Sequence, residues 1–189
     1  MNEKSFFKTS LYIAGIIVLV VSGLLFWDYF HGGVPSHHLL AKKNLPEVSN
    51  WWGIVTFPLA TAILLYRIKK RMFEKNDLIS QQQSRNLIIS FVGAFVYAAA
   101  IAVSFATGNS QISGILFPLI FAIALFIPIY KAEYILGFMV GLLYTFGGFL
   151  PVFISVILAA ISYLLYQLLH RLMIKIGKLM GLVKSKNVS

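Results

Sequence analysis

Six apolar stretches, joined by connections in which Lys and Arg collect on alternate turns of the chain, constrain this sequence more than any motif in it. A helix of about 20 apolar residues crosses the ~30 Å hydrocarbon core of a bilayer. In lipid, only helices and closed barrels satisfy their own backbone polar groups. The sequence therefore predicts an all-α integral membrane protein, a six-span helical bundle forming one transmembrane domain over 1–189. The residue content agrees, at 59% hydrophobic against about 45–50% in soluble domains.

The spans are expected at about 11–30, 51–66, 86–106, 112–130, 134–147 and 150–169. Lys4 and Lys8 precede the first. That stretch is longer than the 7–15 residues of a signal-peptide core and no small-residue cleavage site follows it, so it reads as a retained anchor. Trp51-Trp52 opens the second as an interfacial pair. Gly147-Gly148-Phe149-Leu150-Pro151 breaks the last apolar run into a hairpin. The fifth span is short: Tyr134–Phe146 reaches only ~20 Å, which leaves a re-entrant half-helix as the alternative to a crossing.

Charge decides between these. With six crossings, Lys42 and Lys43 are the only two of the 16 Lys and Arg on the outer side, whereas five crossings weaken the asymmetry. Positive-inside bias then places both termini in the cytoplasm of a bacterial-type inner membrane. The formal charge of +10 is read as contact with the lipid bilayer, through anionic headgroups at the basic cytoplasmic ends. Nucleic acid is not an expected partner, because no recognition motif accompanies the charge. The connection 67–85 is polar, and the basic tail 170–189 reads as an amphipathic helix continuing the sixth span along the interface.

Several chemistries are excluded or unsupported. There is no cysteine, so thiolate catalysis and disulfides are absent. No phosphate loop, dinucleotide fingerprint or nucleophile elbow occurs. The predicted spans carry no central Asp, Glu, Lys, Arg or His, which argues against an ion pump or proton antiporter. Gly137-x-x-x-Gly141 and the Ala94, Ala98, Ala102 series offer small faces for close packing, within the chain or in a homo-oligomer through span 3 or span 5. Pro58, Pro118 and Pro128 are expected to kink their helices and open space between them.

The external segment, loop 31–50 with its flanks, carries the candidate chemistry. His31, His37 and His38 lie within eight positions, bracketed by Asp28 and Glu47. Imidazoles with a carboxylate suit Zn or another divalent metal, so His31, His37, His38 and Asp28 are candidate ligands. Asp28 or Glu47 is then the candidate catalytic base for metal-activated water. His31, Ser36, Asn50, Trp51 and Trp52 are candidate ligand-binding residues. A purely structural loop, with Asp28 paired to His31 or Lys42, is the competing reading. Three functions follow: a non-enzymatic accessory or ligand-binding membrane protein whose loop caps a cavity, a metal-dependent hydrolase or transferase acting on a lipid headgroup, and a small facilitator or channel.

Overall fold

The computed structural model describes residues 2–33, 36–38, 47–74 and 78–179, with side chains for all of these except 36–38, 47–48, 110, 170 and 174–179. Six helices follow one another: α1 Glu3–Phe30, α2 Gly53–Phe73, α3 Gln81–Ala106, α4 Ser110–Phe126, α5 Ala132–Phe146 and α6 Phe149–Leu179. Between α1 and α2 lie two short strands, β1 Ser36–His38 and β2 Glu47–Ser49, and a 3₁₀ turn, Asn50–Trp52. The strands pair antiparallel, with Ser36 opposite Ser49, His37 opposite Val48 and His38 opposite Glu47.

Helix ends follow capping chemistry rather than the edges of the apolar runs. Asn2 Oδ1 accepts from the Ser5 N–H at 2.8 Å and starts α1 eight residues before the predicted span. Ser80 and Gln83 form a reciprocal capping box that starts α3 at Gln81. The polar connection 67–85 accordingly shrinks, because α2 runs on to Phe73. Pro58 and Pro118 lie inside α2 and α4, but Pro128 kinks nothing. It follows the end of α4, where Ile127 is extended (φ −112°, ψ 130°), as the residue before a proline prefers to be. Gly147 at φ +71° ends α5, and Pro151 falls in the first turn of α6, where its missing N–H costs nothing.

Four helical segments are long and apolar enough to cross a membrane: Glu3–Phe30, Asn50–Phe73, Gln81–Ala106 and Phe149–Met173. They are largely unburied within the chain. Leu19 is 73% exposed, Val103 60% and Leu164 65%, an apolar exterior that lipid covers and water does not. α4 and α5 are shorter apolar helices of 17 and 15 residues, or about 25 and 22 Å.

The short α5 is the centre of the bundle. It packs on α2, α3 and α6, and nine of its 15 residues are buried, so neighbouring protein rather than lipid surrounds it. Gly137 lies against the backbone of Phe91 and Gly141 against that of Phe95 and the Ala98 methyl, which makes α3 and α5 parallel. The small faces seen in the sequence therefore meet each other inside one chain, and Ala98 and Ala102 are 0% and 4% exposed there.

The helix ends define two poles. The tryptophan pole carries Trp27, Trp51 and Trp52 with the α5–α6 turn. At the basic pole Glu3 meets Lys69 at 2.9 Å and Arg71 meets Glu133 at 2.8 Å. Glu133 lies just outside the expected fifth span and leaves the absence of central charge untouched, but it is enclosed in the helix. α5 begins at Ala132, so Glu133 sits in its first turn and is 5% exposed.

Candidate functional site

At the tryptophan pole a cavity of about 370 Å³ opens between the last turns of α1, α3 and α5 and the 3₁₀ turn. Its volume falls within the ~300–1,000 Å³ of small-molecule sites. Val21, Leu25 and Leu143 form an apolar floor, and Trp27, Asp28 and Tyr144 stand around the upper wall. Asp28 is the one carboxylate among its lining residues, which include no cation. Ala106 and Phe146, the last residues of α3 and α5, also line it. Three helix C-termini thus face one space. Each brings the negative end of its helix dipole, which adds to the Asp28 carboxylate, while the N-terminus of α6, capped by Asn50, opposes it from the rear wall.

Asn50 forms the rear wall. It is 2% exposed, and its Oδ1 accepts from the N–H groups of Gly148 at 3.0 Å and Phe149 at 3.3 Å. One side chain thereby caps α6 and ties the 3₁₀ turn to the α5–α6 turn, 98 residues away. The approach requires glycine. A Cβ on Gly147 would overlap the Asn50 amide, and one on Gly53 would lie 2.7 Å from the Gly148 Cα. Asn50→Ala removes the cap and leaves two buried donors unpaired, so unfolding in detergent should cost about 1–2 kcal/mol less. Asn50→Asp keeps an acceptor at a helix N-terminus and should recover most of that loss. Thermal melts of both variants check this.

The remaining candidates separate. His31 does not turn to Asp28. Its ring stacks on Trp27 at 3.9 Å and 14°, and its Nδ1 lies 2.9 Å from the Trp27 carbonyl oxygen. That carbonyl can only accept, so Nδ1 is the donor in this contact. The Asp28 carbonyl instead takes the N–H of Gly33 at 3.0 Å, within a turn made by Gly32 (φ +125°) and Gly33 (φ +95°). Trp51 packs edge-on to Tyr29 at 6.3 Å. The Trp52 carbonyl accepts from Thr56 Oγ1 at 2.8 Å. Both residues are exposed and neither lines the cavity.

The side chains of Ser36, His37, His38 and Glu47, and all of Lys42, lie outside the described residues. Register alone sets His38 opposite Glu47. Among the described residues no three His, Asp or Glu come together as a metal site. The sequence reading missed Trp27, whose spacing of four from His31 was the available signal. Comparison of the chain with protein-family models, with curated proteins and with solved structures finds no match.

Proposed function

We propose that this is a non-enzymatic, ligand-binding polytopic membrane protein whose cavity at the tryptophan pole takes a small organic cation, such as a free amine or quaternary ammonium group. All six helices cross a bacterial-type inner membrane with both termini cytoplasmic, the short α5 reaching across because protein surrounds much of its length. The tryptophan pole is then external and the basic pole cytoplasmic, in keeping with the distribution of Lys and Arg.

The observation that carries this reading is one carboxylate, Asp28, beside Trp27 and Tyr144 at a space with no cationic side chain among its described lining residues. Aromatic faces and a carboxylate recognise alkylammonium groups together, and the three helix C-termini add to the same field.

All three tryptophans of the chain, Trp27, Trp51 and Trp52, stand at this pole, so intrinsic fluorescence reports on it without a label. Titration of the purified protein with choline should give a saturable change in emission. Its uncharged carbon isostere should bind at least roughly tenfold more weakly, and Asp28→Asn should erase the difference. Equal responses to the two compounds, or an unchanged preference in Asp28→Asn, would remove the cation reading.

A further inference from the structure

The basic pole holds a second binding arrangement, separate from the external cavity in both residues and chemistry. An apolar slot of about 210 Å³ lies between α3, α4, α5 and α6. Ile120, Ile123, Ile135, Phe138 and Leu158 form its walls. At its edge Tyr134 is shared with an open polar groove of about 490 Å³. That groove is lined by Arg71, Gln83, Asn86, Ser90, Lys131 and Glu133. Glu133 neutralises Arg71, so Lys131 gives the groove its net positive charge.

Two further features mark the slot. Ser155 lines it, is 2% exposed and has no hydrogen-bond partner for its Oγ. A buried hydroxyl left unpaired costs about 1–3 kcal/mol. Gly93 also lines the slot. A Cβ added there would meet nothing within 4 Å, in contrast to Gly137 and Gly141, which α3 and α5 need for contact. Glycine within a helix costs about 0.5–1 kcal/mol relative to alanine. Gly15, Gly23 and Gly114 are equally unopposed in their helices; at Gly93 the open space lets a larger side chain be placed beside the slot without a backbone clash.

We infer that slot and groove together hold one anionic phospholipid of the surrounding leaflet. Its phosphate lies in the groove near Lys131 and the outer face of Arg71, where Gln83, Asn86 and Ser90 can donate. An acyl chain runs from Tyr134 along the isoleucines. A charged head above an alkyl chain is the order of groups that these two spaces accept. A soluble anion would leave the slot empty, and a neutral hydrocarbon would leave Lys131 unanswered.

Native mass spectrometry of detergent-solubilised protein tests this with phosphatidylglycerol, phosphatidylcholine and inorganic phosphate as probes. One phosphatidylglycerol should survive detergent removal, bound at least roughly tenfold more tightly than phosphatidylcholine. Gly93→Phe fills the slot from a position with free space and should reduce that occupancy at least roughly tenfold. Lys131→Gln should leave the chain bound and lower the preference for the anionic head by roughly fivefold. A thermal melt matching wild type confirms that each variant is folded. Unchanged occupancy in a folded Gly93→Phe would mean that the lipid is only annular, and would overturn the inference. Displacement of the lipid by millimolar inorganic phosphate would overturn it as well, by making the groove a phosphate site indifferent to the chain. Choline titration at the opposite pole reads separately, so failure there leaves this result standing.

Discussion

Gly137→Leu should abolish the assembled bundle rather than loosen it. A Cβ at this position would strike the carbonyl oxygen of Phe91, with Phe91 C and Phe95 N also at 3.1 Å. These are backbone atoms of α3, so no rotamer change relieves the clash and the two helices must separate. α5 is also the helix on which α2 and α6 close, and moving it from α3 disturbs both. Ordinary overpacking of a core costs about 1–3 kcal/mol. A clash with backbone at the centre of a bundle belongs among the rare losses above ~4 kcal/mol. Gly141→Leu should behave alike, since its Cβ would lie 2.6 Å from the Phe95 oxygen and 2.7 Å from the Ala98 Cβ. Gly93→Ala is the control, with open space around it and a small gain in helix propensity. Size-exclusion chromatography and thermal melts of the three variants distinguish the cases. A monodisperse Gly137→Leu with a wild-type melt would disprove the α3–α5 seam.

The small faces of that seam were legible in the sequence because they are periodic, though not that they meet each other. Gly137 and Gly141 recur at four, as do Ala98 and Ala102, and residues four apart share a helix face. The α5–α6 turn was legible for a similar reason, since a glycine pair before a proline stops a helix by local sterics alone. Helix ends were less so. Apolarity marks where lipid begins, while Asn2, Ser80 and Asn109 mark where the backbone begins to bond to itself. The short strands at 36–38 and 47–49 carry no alternation long enough to announce them.

The candidate site was half visible. Asp28 and Asn50 belong to the cavity wall, as two of the residues singled out, but for reasons a linear reading could not supply. The role of Asn50 depends on amides 98 positions away, and the place of Asp28 in the wall depends on which three helices end beside it. The proximity of Asp28 to His31 in sequence suggested a pair, yet the histidine ring found a nearer surface on Trp27. Glu133 escaped because the apolar run begins one residue later, at Tyr134. A charge at the edge of such a run is indistinguishable in sequence from one in the connection, and only the arrival of Arg71 from α2 allows it to be buried.

Arg71→Met should accordingly be the most damaging change at the basic pole. The Arg71 Nη2 lies 2.8 Å from Glu133 Oε2 and joins the end of α2 to the start of α5 across 62 positions. The two partners are unequally placed, with side chains 40% and 6% exposed. Removing the arginine leaves a carboxylate among buried groups, an event that costs about 3–5 kcal/mol when both partners are enclosed. Solvent at the arginine and the N-terminal dipole of α5 soften this, so about 2–3 kcal/mol is expected in the unfolding of detergent-solubilised protein. Glu133→Gln leaves the longer-reaching, partly solvated arginine unpaired and should cost less. The double variant Arg71→Met, Glu133→Leu should recover most of the loss, because an apolar pair of similar volume needs no compensation for buried charge. This cycle separates an electrostatic latch from simple packing. Additive losses would show that the two side chains act independently and that burial of Glu133 is sustained by something other than Arg71. Strong recovery in the double variant would make the ion pair a device that fixes the start of α5 against α2, holding the central helix in register despite its short length.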